Sequence, residues 1–272
     1  MSNLIRKAAA YLPNVDKKSV INLTPSDANW DYIGFEVVKL QTGQSYKLDT
    51  QHQEVCVVLL CGHVSARAGN QSWEQFGNRK QIFEQTKPFA LYVTTQTIVE
   101  VKALSYVELA LCKAPAQGKY PTRLIHPDEV SSERRGYGNM ERFIHNILPD
   151  QALAEHLLVV EVFTPNGNWS SFPPHKHDEL RLPNETQLEE LYYHRMTPST
   201  GFAFQRVYTD DRSLDDSFSV EDQDIVLVPK GYHPVSATPG TELYYLNVMA
   251  GPVRQWKFTN EPNFEWLIQP SR

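Results

Sequence analysis

The stretch SSFPPHKHDELRLPNETQLEELYYHR, residues 170–195, places two histidines and a glutamate beside strand-like runs. Residues two apart on an extended strand project from the same face, so His175 and His177 can direct both imidazoles at one point. The run that begins at Glu190 has the aromatic content of a strand, and a loop containing Pro and Asn can return its carboxylate to the histidines. The stretch therefore predicts antiparallel strands with candidate metal ligands at their ends.

A third imidazole follows in VLVPKGYHPV, residues 226–235. Pro229 and Gly231 predict a turn, and His233 opens the next extended run. Three neutral nitrogens and one carboxylate suit one divalent transition metal per chain, namely Zn, Fe(II), Mn, Co or Ni. A buried histidine is more often a satisfied polar group of the core, so the prediction depends on the four residues together.

These motifs are similar to the two metal-binding motifs of the cupin superfamily, although the gap between His177 and Glu190 is longer than usual in cupins. The segments GNWSSFPPHKHD (167–178), LEELYYHR (188–195) and DIVLVPKGYHPV (224–235) closely resemble the 5-deoxy-glucuronate isomerases, a family of bacterial myo-inositol breakdown. The resemblance covers nearly the whole chain. It implies that the metal ligands are His175, His177, Glu190 and His233.

The resemblance also implies a reaction, the conversion of 5-deoxy-D-glucuronate to 5-dehydro-2-deoxy-D-gluconate. Four protein ligands leave one or two coordination positions open, which is typical of a catalytic site. A bound ion can then acidify the carbon between a carbonyl and a hydroxyl, so that a proton moves to the neighbouring carbon. A hydride shift between the two carbons is the alternative path.

Substrate and product both carry a carboxylate, so the resemblance implies a small anionic sugar acid as partner and a cationic clamp in the protein. Four basic residues lie near the metal motifs and are candidates for this clamp: Arg181, Arg195, Arg206 and Lys230. Lys176 lies between the two histidines and is expected to face away from them.

Two tyrosines are candidates for proton transfer. Tyr192 shares the parity of Glu190 along its strand, and Tyr245 lies on the expected closing strand. His194 has the same parity as Tyr192. Each of these residues is also compatible with simple packing in a strand, so the base stays open at this point.

The composition favours an all-β fold, because 18 Pro and 13 Gly in 272 residues are typical of many short strands and turns. With the resemblance, we predict a bicupin of two cupin-like antiparallel β-barrels of jelly-roll type with few short helices. Residues 1–120 form the expected N-terminal barrel without metal, residues 121–150 a linker, and residues 151–272 the metal-binding barrel and tail.

The predicted linker is polar and rich in turns, with a short helix expected over Met140–Leu148. Its arginines, including Arg134, Arg135 and Arg142, can bind a carboxylate through a guanidinium fork. Alternatively, they pair with neighbouring acidic residues of the same segment as ordinary surface groups.

The net charge of -6 argues against non-specific nucleic-acid binding. No apolar run approaches the ~20 residues of a membrane-spanning helix, and no secretory signal is evident, so we expect a cytoplasmic protein with no membrane partner. The three cysteines lie in apolar runs and are predicted to be reduced core residues. Aromatic residues near the carboxyl end are compatible with a homo-oligomer.

Two other function classes fit the same ligands, because a fold and a metal set do not choose a reaction. An Fe(II) cupin dioxygenase would use the open positions for O₂. A non-catalytic sugar-acid-binding cupin would use the ion only to hold its ligand.

Overall fold

The computed structural model describes residues 3–12 and 18–268. Short antiparallel strands make up most of the regular structure. The strands in chain order are β1 (Ile5–Arg6), β2 (Ser19–Leu23), β3 (Gly34–Leu40), β4 (Ser45–Asp49), β5 (Gln53–Ala68), β6 (Gln71–Arg79), β7 (Ala90–Val93), β8 (Ile98–Ala103), β9 (Val107–Pro115), β10 (Arg123–Ile125), β11 (Ser131–Arg135), β12 (Arg142–Leu148), β13 (Leu158–Thr164), β14 (Trp169–Ser170), β15 (His175–Lys176), β16 (Glu189–Thr197), β17 (Phe202–Tyr208), β18 (Asp215–Glu221), β19 (Ile225–Val228), β20 (Val235–Ala237), β21 (Glu242–Ala250) and β22 (Thr259–Asn260).

Helical structure in the described ranges is limited to single turns or slightly more. The α-helix α1 covers Pro25–Ala28, and 3₁₀ turns cover Ile82–Glu84, Pro127–Glu129, Gly138–Met140 and Pro262–Leu267. The expected helix over Met140–Leu148 is wrong, because Arg142–Leu148 forms strand β12. None of the helices in the described ranges has the length and apolar character that crossing a bilayer requires.

The structure divides into two compact units. The N-terminal unit comprises the described parts of 8–131 and 145–160, and the C-terminal unit those of 3–7, 132–144 and 161–272. Strands β10, β11 and β12 lie within the segment 121–150, where a linker was expected.

The N-terminal unit is organised around the 16-residue strand β5. Its sheet has the order β10-β7-β5-β9-β3-β2, with β6 and β8 also paired to β5 and β4 paired to β8. Apolar side chains such as Val57, Leu91 and Leu109 form its core. The three cysteines are buried in the core, as predicted, and burial raises the pKa of the Cys112 thiol.

The C-terminal unit carries the predicted metal motifs. A seven-stranded sheet has the order β1-β19-β16-β21-β13-β12-β11, a four-stranded sheet the order β14-β20-β17-β18, and β15 pairs with β22. Among the described residues these sheets stay open rather than closing into continuous hydrogen-bonded barrels. The predicted all-β architecture with few short helices is therefore confirmed, with open sheets in place of closed barrels.

A buried carboxylate organises one end of the N-terminal unit. Glu54 has no exposed surface and accepts hydrogen bonds from three consecutive backbone N–H groups, those of Glu155, His156 and Leu157, at 2.7–2.8 Å. It also accepts the Tyr92 hydroxyl at 2.6 Å. The Glu54 side chain thus accepts the buried backbone N–H groups at the start of the segment that leads into β13.

We predict that Glu54→Ala destabilises the protein by about 3 kcal/mol, because it leaves several buried donors without an acceptor. Chemical denaturation measures the change in the free energy of unfolding. Glu100→Ala, which removes an exposed glutamate from β8, is the matched control and should change it by less than about 0.5 kcal/mol. Equal effects of the two substitutions would contradict the assigned role of Glu54.

Candidate metal centre

The first two candidate ligands lie at the pairing of β15 with β22. His175 is opposite Asn260 in this pair, and His177 follows directly after the strand. Both imidazoles are buried, with 8% and 3% of the residue exposed. The ring of His175 packs against Phe258, with centroids 4.7 Å apart. Packing and pairing therefore hold both rings on one side of the chain.

Glu190 is placed by the sheet register. It lies near the start of β16, where it is opposite Val228 of β19 and Met249 of β21. Because β19 ends at Val228, the carboxylate lies beside the turn that leads to His233. Pairing of β16 with β19 and β21 thus returns Glu190, which is 13 positions after His177 in the sequence, to the side of His177.

The turn before His233 requires a glycine. Gly231 has φ +87°, and a Cβ at this position would collide with the backbone oxygen of Tyr208. The N–H of Gly231 donates to Asp178 Oδ2 at 2.7 Å, and its carbonyl oxygen accepts from His233 Nδ1 at 2.9 Å. The turn therefore orients the third imidazole through its own backbone.

The three imidazoles and the carboxylate converge. One nitrogen of each of His175, His177 and His233 lies within 4.8 Å of the others. Glu190 Oε2 is 2.9 Å from the Nε2 atoms of both His177 and His233. The four residues that the sequence singled out therefore share one buried place in the C-terminal unit.

The hydrogen bonds of the rings show which nitrogens face the centre. Nδ1 of His233 donates to the Gly231 carbonyl, and Nδ1 of His177 lies 3.3 Å from the Leu188 carbonyl. With Nδ1 engaged in this way, Nε2 is the nitrogen of each ring that faces Glu190. His177 Nε2 forms a hydrogen bond with Glu190 Oε2, whereas the contact of His233 Nε2 with the same oxygen, also 2.9 Å long, lacks hydrogen-bond geometry. Two ring nitrogens and one carboxylate oxygen that meet at one buried place need positive charge between them, so this donor set fits a metal ion.

The protonation states also suit a cation. Burial, together with the charges of His233 and His177, holds the pKa of His175 well below its usual range. Burial alone would raise the pKa of Glu190, but the two neighbouring imidazoles outweigh it and hold the pKa well below its usual range. Burial alone would lower the pKa of His177, but the neighbouring Glu190 carboxylate outweighs it and raises the pKa. Neutral imidazole and ionised carboxylate are the forms that bind metals, so a bound cation would take the place of the proton that His177 shares with Glu190.

Two supporting residues were missed by the sequence reasoning. Asn247, on β21, donates from Nδ2 to Glu190 Oε1, and Asp178 accepts the Gly231 N–H. Asn247 shares its strand face with Tyr245, so its parity was a usable signal. Asp178 follows the histidine pair directly, but nothing local indicates that its partner is 53 residues away.

The two tyrosines lie next to the cluster. Tyr192 projects from the same face of β16 as Glu190, and its ring centroid is 5.9 Å from that of His233 and 4.8 Å from that of Tyr245. Their hydroxyls contact Ser171 Oγ at 2.9 Å and Ser170 Oγ at 2.5 Å, respectively. Burial raises the pKa of both phenols, so both are protonated at neutral pH.

His194, the third residue of this face, is fully buried and stacks on Tyr192 with an interplanar angle of 12°. Its Nε2 lies 3.1 Å from Gln205 Oε1. Burial lowers the pKa of His194 to about 3, so this ring is neutral.

The four candidate clamp residues are paired with carboxylates or exposed to solvent. Arg181 pairs with Glu179 and Glu185, Arg195 with Asp222, and Arg206 with Asp215, while Lys230 is exposed. Arg195 is five residues after Glu190 on β16, so its side chain lies on the opposite face of this strand, because successive side chains alternate between the two faces. A role for any of the four in substrate binding stays a prediction.

Lys176 is buried and points into a group of acidic residues that includes Asp178 and Glu185.

A cavity of about 380 Å³ borders His175. Phe172, Phe258 and Asn260 form part of its wall, and two arginines of the segment 121–150, Arg135 and Arg142, line it as well. The cavity gives a small molecule access to one side of the imidazole cluster.

We predict that Gly231→Ala destabilises the protein by about 3 kcal/mol, the sum of backbone strain and the collision with Tyr208. Gly240→Ala is the matched control, because Gly240 also has a positive φ, +81°, but has open space around its Cβ position. It should cost about 1 kcal/mol. Thermal and chemical denaturation measure both variants, and equal losses would show that the contact with Tyr208 is unimportant.

The chain is similar to known proteins over almost its whole length. The sequence profile of the KduI/IolB family matches residues 6–267. A 5-deoxy-glucuronate isomerase from Geobacillus thermodenitrificans is 54% identical over 261 residues, which are 96% of this chain and 95% of that protein.

Two solved structures show the same fold. An IolB-like protein from Salmonella typhimurium is 45% identical and superposes with a TM-score of 0.93, covering 98% of this chain and 99% of the other. The oxalate decarboxylase of Bacillus subtilis, which has Mn(II) centres, is 11% identical with a TM-score of 0.67, covering 96% of this chain and 80% of that one. The second likeness concerns the fold alone. Profile, relatives and structure agree that this chain belongs to the KduI/IolB family.

Proposed function

We propose that this protein is an isomerase that converts 5-deoxy-D-glucuronate to 5-dehydro-2-deoxy-D-gluconate in myo-inositol catabolism. Relatives that are 43–54% identical over nearly the full chain share the name 5-deoxy-glucuronate isomerase. The observation that carries the proposal in this structure is the convergence of three buried imidazoles and one carboxylate beside a cavity.

We propose that His175, His177, Glu190 and His233 hold one divalent transition metal, from the group Zn, Fe(II), Mn, Co and Ni. The buried His233 Nε2, which lies 2.9 Å from Glu190 Oε2 without hydrogen-bond geometry, supports this assignment. So does the absence of cysteine from the donor set, since thiolates are typical of closed structural sites. Imidazole and carboxylate donors accept each of these metals, so the geometry does not select among them.

When bound, such an ion withdraws electrons from the carbonyl of an aldose and its neighbouring hydroxyl, which acidifies the carbon between them. We propose that Tyr192 and Tyr245 handle protons during the reaction. Because burial raises the pKa of both phenols, each holds its proton on Oη at neutral pH and is a hydrogen-bond donor. Ser170 and Ser171 fix the direction of these hydroxyls. The tyrosines are thus suited to stabilise a developing negative charge on a substrate oxygen.

The two halves of the chain are proposed to differ in role. Residues 1–120 would form a cupin-like unit without metal, residues 121–150 a linker, and residues 151–272 the metal-binding unit and tail. In support, the described residues contain one group of three or more possible metal ligands. It consists of His175, His177 and His233, which all lie within residues 151–272. We further propose that the protein works in the cytoplasm on a small anionic sugar acid, without nucleic-acid or membrane partners, and that it can form homo-oligomers.

We predict that His175→Ala and His233→Ala lose most of the bound metal and nearly all isomerase activity while the fold persists. Loss of a direct ligand should lower metal affinity by more than the ~10–100-fold that loss of an outer partner costs. Elemental analysis, turnover and circular dichroism measure the three properties. His126→Ala removes a largely exposed imidazole and is the control. Near-normal turnover by a metal-free His233→Ala protein would contradict the proposed centre.

We predict that chelation of the native enzyme abolishes isomerisation and that one added divalent metal per chain restores it. Turnover in deuterated water, followed by NMR, should convert aldehyde to ketone without oxygen uptake. Deuterium in the product would indicate proton transfer through an enediol, and its absence would favour a hydride shift or a shielded base. Oxygen consumption during turnover would contradict an isomerase and favour a dioxygenase, while an unchanged sugar acid would favour a binding protein.

A further inference from the structure

Arg142 is a buried cation that pairs with no carboxylate of the described residues. It begins strand β12 and only 9% of the residue is exposed. Its Nη1 donates to the carbonyl oxygens of Met140 and Phe172, both at 3.0 Å. No carboxylate of the described residues forms an ion pair with it. A buried guanidinium that is solvated only by backbone carbonyls is an unbalanced charge, because burial without a counter-ion is costly.

The remaining donors of Arg142 are available to a ligand. Nε and Nη2 form no hydrogen bond with the described residues, and Arg142 lines the cavity of about 380 Å³ that borders His175. A guanidinium offers a planar fork of N–H groups that matches a carboxylate. The two bonds of Nη1 to backbone fix the plane of this fork in advance.

The surroundings keep Arg142 in this position. Gly136 has φ +79°, and a Cβ there would collide with the Met140 carbonyl and lie 2.8 Å from Arg142 Nη1. The carbonyl of Phe172, which accepts from Arg142, lies three residues before His175. The backbone that positions the first imidazole therefore also positions the guanidinium.

Arg135 lines the same cavity but is differently placed. It pairs with Glu133 at 2.6 Å and stacks on Trp256, with the guanidinium carbon 4.9 Å from the ring centroid. About a third of its side chain is exposed. Arg135 is thus a partly neutralised charge beside the cavity, while Arg142 is the buried one.

We infer that Arg142 binds the carboxylate of the sugar acid and sets the specificity of the cavity for uronates over neutral sugars. This inference rests on the proposed isomerase function and adds the residue that recognises the acid. The metal cluster and Arg142 then receive opposite ends of one substrate, the reacting carbonyl and the terminal carboxylate. Arg142 differs from the four basic residues that sequence proximity suggested.

The test compares 5-deoxy-D-glucuronate with 5-deoxy-D-glucose, which differs only by a hydroxymethyl group in place of the carboxylate. Metal-loaded wild type, Arg142→Lys and Arg142→Met are assayed, with Arg212→Gln as the matched control. Arg212 is another arginine of the C-terminal unit, and it is partly exposed and pairs with Glu261. Metal content and melting temperature are measured for each protein, so that loss of fold or metal is recognised independently of activity.

We expect kcat/KM for the uronate to fall on the order of 100-fold in Arg142→Met, mostly through KM, with metal content unchanged. The value for the neutral sugar should change little, so that discrimination between the two sugars collapses. Arg142→Lys keeps the charge without the fork and should lie between wild type and Arg142→Met. Arg212→Gln should discriminate as wild type does.

Retained discrimination in a folded, metal-loaded Arg142→Lys or Arg142→Met protein would overturn the inference while leaving the isomerase function intact. The same holds if Arg212→Gln loses discrimination and the Arg142 variants keep it. If both Arg142 variants fail to fold or to bind metal, the residue is structural and the inference is overturned. A wild type that does not isomerise the uronate would overturn the proposed function and this inference with it.

Discussion

The ionised carboxylate of Glu190 is the constraint on which the site depends. It is 2% exposed, and a buried carboxylate would normally take up a proton. Its pKa is instead held well below the usual range, because the imidazoles of His233 and His177 lie 2.9 Å from Oε2. Asn247 donates to the other oxygen. The turn at Gly231, which accepts from His233 Nδ1, and Asp178, which accepts the Gly231 N–H, fix one of the imidazoles that compensate this charge.

The strand β16 explains much of the geometry. Its pairing with β19 and β21 sets Glu190, Tyr192 and His194 on one face and Arg195 on the other. A slip of one residue would exchange the two faces, so the register decides which groups meet the imidazoles. The turn at Gly231 then adds His233 from the next segment, using a backbone conformation that other residues adopt only with strain. Local parity and one glycine thus build a site from residues far apart in sequence.

The residues of the candidate site show which features the sequence could predict and which it could not. Strand parity and turn residues singled out His175, His177, Glu190 and His233 as candidate ligands because each signal is local, and the family resemblance implied the same four. The basic residues near the motifs were chosen by sequence proximity, yet Arg206 pairs with Asp215 and Arg195 faces away from Glu190. Proximity in sequence does not determine which face a side chain occupies.

Longer-range contacts were beyond local patterns. Asp178 meets Gly231 across 53 residues, and Asn247 meets Glu190 across 57. The segment Arg142–Leu148 has short apolar runs that suit helix or strand equally, and its place as an interior strand of the seven-stranded sheet decided the outcome. Tertiary pairing overrode a weak local preference there.

The distribution of charge explains how an acidic protein can receive an acidic substrate. The net charge is -6, but the potential inside a low-dielectric cavity is set by the nearest groups rather than by the sum. Near the cavity, the Glu190 charge is compensated within the cluster, whereas Arg142 has no carboxylate partner among the described residues. Surface arginines such as Arg206 are already paired and screened by solvent, so they add little to the field inside. The attraction for an anion therefore comes from one buried guanidinium and any bound cation, and the acidic exterior does not oppose it strongly.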